Sequence, residues 1–197
     1  MYYYFLLENN TIKAKYKSKH KPTSSNTILV DEDTWNKAEI GFIYEDGEIK
    51  YPDDYLDNLK VQLKQKVADL RKRKEDEGVI IQIGENSYHF ETDAKTRANI
   101  IAVVNAYNLG ILDKAKDKVA WKLKDNSFTE LTYYELVQVG NIMLKYIESL
   151  FVAEAQHNKA IDALQSVEEA EQYDVEQGWP DTTYIVEVNS EEQNANS

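Results

Sequence analysis

Residues 119–151 read VAWKLKDNSFTELTYYELVQVGNIMLKYIESLF, and this stretch contains both of the patterns that decide the fold class. Val119, Trp121 and Leu123 alternate with more polar positions that include Lys118, Lys122 and Lys124, which is the period of a strand with one buried face. The turn residues Asp125–Ser127 then predict a hairpin. Thr132 and Glu135 form a capping box, and apolar residues recur beyond them at helical spacing. The stretch therefore predicts a β-hairpin followed by a long helix.

The same order of elements occurs just upstream. Residues 79–91 alternate around a turn, which predicts another hairpin, and residues 94–108 form a broad apolar stripe that predicts a helix ended by Gly110. An acidic helix is expected over 166–177. Together these elements predict an α+β domain of β-hairpins packed on helices, spanning residues 78–180.

A long helix is predicted at 53–77, where Gly78 ends the pattern. Its apolar positions fall three and four residues apart and form a narrow seam, which is typical of a coiled coil or an exposed connector. This seam is the candidate surface for docking or self-association, and Leu63→Glu should reduce self-association if the seam is used. The candidate partner-binding residues on this helix are Leu56, Leu59, Leu63, Val67 and Leu70.

Residues 1–52 predict a small β-rich N-terminal module. A hairpin is expected over 2–17, turning at Asn9–Asn10, and a second around Asp46–Gly47. In the second strand of the first hairpin, Ile12, Ala14 and Tyr16 alternate with lysines. This alternation predicts that the three apolar side chains are buried and that the lysines are solvated.

The net charge of −12 is concentrated at the C-terminal end of the chain. Neither Lys nor Arg follows Lys159, and residues 165–197 carry nine acidic side chains. Residues 181–197 are therefore interpreted as an acidic tail. Within it, Thr182 to Val188 predicts a strand that adds to the sheet edge of a partner protein, with Tyr184 and Val186 as further candidate partner-binding residues.

The composition argues against several classes of function. No cysteine is present, which excludes disulfides and thiolate metal sites. The apolar run from Met1 to Leu7 is too short to span a membrane, so no membrane association is expected. The three histidines are far apart in sequence, and no phosphate-binding or nucleophile motif occurs. We therefore expect no enzyme activity, no cofactor and no metal, and we assign no catalytic, cofactor-binding or metal-binding residues.

Residues 69–180 resemble a domain of unknown function that occurs in many tailed-phage proteins. Three stretches carry the resemblance in order: DLRKRKEDEGVIIQIGENSYHFETDAKTRANI from residue 69, VAWKLKDNSFTELT from 119 and TYYELVQVGNIMLKYIESLF from 132. Such domains often lie at the C-terminal end of tail-fibre or tail-fibre assembly proteins. The resemblance implies a structural or assembly role and carries over no catalytic residues.

The resemblance leads to an expected function without catalysis: a phage tail-fibre-associated assembly protein, such as a chaperone, or a minor virion component. Its expected partners are tail or tail-fibre subunits, or a second copy bound through helix 53–77. Its expected location is the host cell cytoplasm during assembly, or the virion tail. The alternative is a regulatory protein that contacts nucleic acid through the basic helix 60–74, although the net negative charge makes nucleic acid a less favoured partner.

Overall fold

The computed structural model describes residues 1–186 and confirms the α+β fold class. It divides the chain into two compact units that meet in sequence between Leu59 and Lys60. We call them unit 1 and unit 2. The division falls within the long helix, because that helix continues from one unit into the other.

Unit 1 is an antiparallel sheet of five strands with the order β3-β1-β2-β4-β5. The predicted turns have the expected backbone, since Asn9, Asn10, Asp46 and Gly47 all have positive φ. One face of the sheet packs around Phe5, Ile12, Ala38 and Phe42. The elements are β1 (Tyr2–Glu8), β2 (Thr11–Ser18), β3 (Thr27–Val30), α1 (Glu32–Lys37), β4 (Ile43–Glu45), β5 (Glu48–Lys50) and the start of α2 (Tyr55–Glu77).

The predicted faces of β2 are wrong because the pairing of β1 with β2 contains an irregularity. Leu6 pairs with Ala14, but Leu7 pairs with Ile12, so Lys13 is skipped. One extra residue moves every later side chain to the opposite face. Ile12 is fully buried as predicted, whereas Tyr16 is 44% exposed.

Unit 2 contains a three-stranded sheet with the order β10-β6-β7 and a separate two-stranded hairpin. Its core joins both to helices α3 and α4, and it includes Phe90, Trp121, Leu136 and Tyr146. Thr132 and Glu135 form the predicted capping box. The elements that follow α2 are β6 (Val79–Ile83), β7 (Asn86–Phe90), α3 (Ala94–Asn108), β8 (Val119–Lys122), β9 (Phe128–Leu131), α4 (Tyr133–Ala163), α5 (Val167–Glu171) and β10 (Thr183–Val186).

The end of α2 depends on Gly78, which has a φ of +78°. A Cβ at this position would lie 2.2 Å from the carbonyl oxygen of Phe90, so the close approach of β7 requires glycine here. The ring of His89 supports the same end, since its Nε2 lies 2.7 Å from the carbonyl oxygen of Glu77. His89 therefore has a structural contact.

The apolar seam of α2 is filled within the chain in unit 2, which corrects the prediction that this part of it is open to a partner. Leu63, Val67 and Leu70 are at most 7% exposed. Two ion pairs identify α4 as the helix that lies beside this seam. Lys64 lies 2.6 Å from Asp162, and Arg71 lies 2.9 Å from Glu154. These pairs align α2 antiparallel to the second half of α4, whose buried residues include Ala153, His157 and Ile161. The coiled-coil spacing is thus used inside the chain.

The segment after α4 differs from the prediction in the length of its helix. The acidic helix has only five residues, Val167–Glu171, because the chain then turns back across α4. This segment covers His157 of α4, which is 8% exposed. Its Nε2 donates to the carbonyl oxygen of Gln177 at 2.9 Å, and its Nδ1 lies 2.8 Å from the hydroxyl oxygen of Tyr173. Its ring stacks on Trp179 with centroids 5.3 Å apart.

The predicted C-terminal strand is present, but it adds to its own sheet and not to that of a partner. Residues Thr183–Val186 pair in parallel with Ile80–Ile83 of β6. Tyr184 packs against the core and contacts Tyr146. The remainder of the predicted strand and acidic tail, residues 187–197, lies outside the described residues.

Helix α4 is the one helix within residues 1–186 that is long and apolar enough to cross a membrane by length and composition. In unit 2 it is also the central core helix. Leu136, Val139, Met143 and Leu150 are at most 1% exposed and belong to the core of the unit. Core packing therefore accounts for much of its apolar character.

Candidate protein-interaction site

The side of the unit 1 sheet that faces away from the Phe5 core is here called the outer face. Strand pairing places its side chains in rows, with Tyr4 opposite Tyr16 on β2 and opposite Leu29 on β3. The next row joins Leu6 to Ala14. The residues that alternation places on this side of the three strands are Tyr2, Tyr4, Leu6, Glu8, Thr11, Ala14, Tyr16, Ser18, Thr27 and Leu29.

The outer face is apolar and aromatic although it is open to solvent. Tyr2, Tyr16 and Leu29 are 43%, 44% and 38% exposed. The rings of Tyr4 and Tyr16 stack with centroids 5.3 Å apart and an interplanar angle of 22°. Its charges on these strands are confined to the hairpin end, where Glu8 pairs with Lys13, whereas the solvated face of an antiparallel sheet is normally polar throughout. The aromatic part of the face is therefore a candidate interaction surface.

Two of the three lysines of β2 lie on the core side of the sheet. Lys15 and Lys17 pair with Phe5 and Tyr3 and therefore lie on the opposite side of the sheet. There the ammonium group of Lys15 lies 4.4 Å from the centre of the Trp35 ring and that of Lys17 lies 4.8 Å from the centre of the Tyr3 ring. Their aliphatic stems and cation–π contacts help to cover that side of unit 1.

The two ends of the outer face differ in charge. Ser18 pairs with Tyr2 at one end, and Lys19 and Lys21 follow directly in the exposed loop. Neither lysine has an ion-pair partner among the residues that the structure describes. At the other end lies Glu8, whose carboxylate is 3.5 Å from the exposed ammonium group of Lys13.

The structure does not bring the predicted partner-binding residues together on one open surface. Leu56 and Leu59 are half-buried in unit 1. Leu63, Val67 and Leu70 are buried in unit 2 by the α2–α4 pairing. Tyr184 is half-buried against the core of unit 2, and the backbone of Val186 pairs with Ile83.

The sequence did not predict the outer face, because the two faces of β2 cannot be assigned without knowing that Lys13 is skipped in the pairing with β1. One signal was present in the sequence. The run Tyr2-Tyr3-Tyr4-Phe5-Leu6-Leu7 is apolar at every position, which is the pattern of a strand that is covered on both sides. Alternation in β2 hid this signal, because it suggested that only one side of the hairpin was buried.

Three of the seven cations in the basic helix proposed as a nucleic-acid contact are paired with carboxylates of the same chain. Lys64 pairs with Asp162, and Arg73 lies 3.2 Å from Glu176. Arg71 is only 19% exposed and lies between Glu75 and Glu154, although its Nε–H is not aligned for a hydrogen bond. Cations that are neutralised in this way contribute little to binding phosphates.

Glu75 extends this pairing into a partly buried network at the end of α2. Its carboxylate lies 2.8 Å from Arg71 and 2.9 Å from Arg97 of α3. Its carbonyl oxygen accepts a hydrogen bond from Thr92 at 2.6 Å. The network links α2, α3 and α4, so its role is structural.

An open groove of about 370 Å³ runs beside the same helix. Its charged residues balance one another, with three carboxylates and three cations, so it favours neither an anion nor a cation. Among residues 1–186, no group of three or more histidines and carboxylates is placed to hold a metal ion. The groove is lined by Asp69, Lys72, Arg73, Asp76, Glu77 and Lys124.

Comparison with known proteins identifies a family but no characterised relative. Neither the curated proteins nor the solved structures gave a match. A family model described as a domain of unknown function, DUF4376, matches residues 58–177. The match covers most of unit 2 and more than half of the chain, while the outer face lies before it. The chain belongs to the DUF4376 family.

Proposed function

We propose that this protein acts by binding other proteins, as a phage tail-fibre-associated assembly protein or a minor virion component without catalytic activity. The outer face is the observation that carries the binding role, because it exposes Tyr2, Tyr16 and Leu29 on one side of the sheet. The assignment to a phage tail rests on the resemblance of residues 69–180. The expected partners are tail or tail-fibre subunits.

Several features of the described residues support a binding role. The apolar positions of α2 in unit 2 and the strand β10 are used inside the chain, whereas the tyrosines of the outer face remain exposed. Tyrosine is well suited to such a surface, since it buries a large area and keeps a polar group that tolerates water in the free state.

The test is affinity purification of the tagged chain from cells that also produce the tail and tail-fibre proteins of a phage encoding it. We expect a tail protein to co-purify with the wild-type chain and to be lost with Tyr16→Glu, which places a charge in the outer face. Phe128→Glu is the matched control, since Phe128 is 70% exposed in unit 2. Retention of no tail protein by the wild type would refute the proposal.

Mass spectrometry of purified phage particles then separates the two forms of the proposal. A minor virion component is found in the particles at a constant ratio to the tail-fibre protein. An assembly chaperone is found in the cell extract with its partner and is absent from the finished particles. The expected locations are accordingly the virion tail in the first case and the host cytoplasm in the second.

A further inference from the structure

We propose that the edge of β6 that faces away from β7 is a strand-acceptor site. Residues 183–186 of the same chain fill it, and an extended segment of a partner protein with an aromatic side chain takes it over by displacing them. We call this site the β6 edge. It lies in unit 2 and does not involve the outer face, so the inference goes beyond the proposed function.

The way in which β10 is held shows what the β6 edge recognises. The two strands run in parallel, with Tyr184 opposite Ile81, and the amide of Ile80 donates to the carbonyl oxygen of Thr182 at 2.8 Å. The side chain of Tyr184 packs against the core and meets the ring of Tyr146 with centroids 6.2 Å apart and an interplanar angle of 73°. Main-chain hydrogen bonds accept any extended segment, whereas the Tyr184 position selects an aromatic side chain.

The strand β10 is held by few side chains. Among residues 183–185, only Tyr184 packs against the core, since Thr183 is exposed and Ile185 is 67% exposed. A short parallel edge strand with one such anchor opens locally at a lower free energy than the core of its unit. We therefore expect β10 to leave the sheet before any other strand of unit 2 does.

The chain just before β10 is fixed by several contacts. The ring of His157 stacks on Trp179, and its Nε2 donates to the carbonyl oxygen of Gln177 at 2.9 Å. The indole N–H of Trp179 donates to the carbonyl oxygen of Val175 at 2.8 Å. Only residues 180–182 separate these contacts from β10. Opening of β10 therefore leaves the contacts of His157 and Trp179 in place.

This short link determines which partner occupies the site. It keeps the released β10 at a high effective concentration beside its own edge, roughly millimolar or above. The same segment of a second copy binds the edge no more tightly and lacks the link, so it does not displace β10. A different protein displaces β10 when its segment is longer or fits more closely beside Tyr146. The occupant is accordingly a partner protein and not a second copy of this chain.

Native-state hydrogen exchange, followed by NMR, tests the opening of β10. Alternation along β6 directs the amides of Ile80 and Gln82 to β10 and those of Ile81 and Ile83 to β7. We expect Ile80 and Gln82 to exchange at least about tenfold faster than Ile81 and Ile83, at rates that hardly depend on urea. Equal protection of all four amides would show that β10 opens only with the whole unit, and the inference would be refuted.

Peptide titration, followed by fluorescence anisotropy, tests the acceptor site itself. The probe is a labelled peptide of residues 181–188, DTTYIVEV, and the receptor is the full-length Tyr184→Ala chain, in which β10 lacks its anchor. We expect this chain to bind the peptide at least about tenfold more tightly than the wild type, in which β10 fills the edge. Ile185→Ala is the matched control, because Ile185 is exposed, and it should bind like the wild type.

A second peptide, with alanine in place of the tyrosine, tests the aromatic requirement and should not bind. Tyr184→Leu, which keeps an apolar side chain, replaces the alanine variant as receptor if far-UV circular dichroism shows that the latter is unfolded. The inference fails if the folded variant binds the tyrosine peptide no better than the wild type, or binds both peptides equally.

These measurements are separate from the test of the proposed function. Tyr16→Glu alters the outer face and should leave the hydrogen exchange of Ile80 and Gln82 unchanged. Loss of tail-protein capture with intact peptide binding would refute the proposed function alone. Capture of a tail protein by a chain whose Tyr184→Ala form binds no peptide would refute the β6 edge alone.

Discussion

Tyr146 shows how one buried side chain makes the stability of unit 2 depend on pH. It is 0% exposed, and its hydroxyl donates to the carbonyl oxygen of Lys74 at 2.9 Å. Burial, followed by the nearby carboxylate of Glu77, raises the pKa of Tyr146 from 10.0 to about 12. In the unfolded chain the pKa returns to about 10.

We predict that Tyr146→Phe flattens the alkaline loss of stability. In the wild type, the unfolded state releases the Tyr146 proton near pH 10, while the folded state keeps it to about pH 12. The contribution is therefore complete below about pH 10 and is lost as the pH rises towards about 12, with a size of about 2–3 kcal/mol. At neutral pH the variant should lose about 1 kcal/mol with its hydrogen bond.

Urea unfolding at a series of pH values measures this difference. Tyr134→Phe is the matched control, because Tyr134 lies on the same helix and is 50% exposed. Its free energy of unfolding should follow that of the wild type at every pH. If Tyr146→Phe lost stability between about pH 10 and 12 as steeply as the wild type, the buried hydroxyl would not be the cause.

At the scale of elements, the pairing of α2 with α4 changes the expected effect of a substitution in the seam from a loss of self-association to a loss of stability. We predict that Leu63→Glu lowers the free energy of unfolding by about 3 kcal/mol or more, because it places a charge in a buried apolar position. Leu63 is 7% exposed, whereas Val61 on the same helix is 66% exposed. Val61→Glu should therefore change stability by no more than about 0.5 kcal/mol.

Chemical denaturation of Leu63→Glu and Val61→Glu measures the change in the free energy of unfolding. Sedimentation of the same variants measures their self-association. If Leu63→Glu remained as stable as the wild type but lost self-association, the seam would be a contact between copies after all. If Leu63→Glu lost stability but associated to the same extent as the wild type, the pairing of α2 with α4 inside the chain would be supported.

Local signals were sufficient to predict most of the elements. The Asn9–Asn10 turn and the Thr132–Glu135 capping box are determined by neighbouring residues, and the structure has both. The predictions that were wrong concern features that depend on residues far apart in sequence. The skipped Lys13 is defined only by the pairing of two strands. The burial of Leu63 requires the part of α4 that pairs with the neighbouring Lys64 from 98 residues later in the chain.

The same distinction explains why the candidate site was predicted in the wrong place. The leucine spacing of α2 correctly indicated a helix-pairing surface, but spacing alone does not identify which helix pairs with it. The outer face, in contrast, exists only because the register of β1 and β2 places Tyr4 beside Tyr16. Sequence periodicity does not contain that register.

At the scale of the whole molecule, charge separates the two classes of partner that the sequence suggested. The chain has a net charge of −12, and its acidic C-terminal region supplies partners to the basic helix, as Arg73 and Glu176 show. The family domain therefore neutralises part of its basic helix. Unit 1 adds a face that exposes tyrosines, which suits a protein partner better than a phosphate backbone.

We predict accordingly that the purified chain does not shift single- or double-stranded DNA or RNA, even at about 50 mM salt, where phosphate contacts are strongest. Each phosphate contact requires an available cation. Three cations of α2 are already paired with the carboxylates of Asp162, Glu154 and Glu176. An electrophoretic shift assay with protein at up to about 100 μM provides the measurement. The informative variant is Glu176→Gln, which frees Arg73 without altering a buried residue. A shift by the wild type that weakens with salt would revive the nucleic-acid alternative, and a stronger shift by Glu176→Gln would locate it on α2.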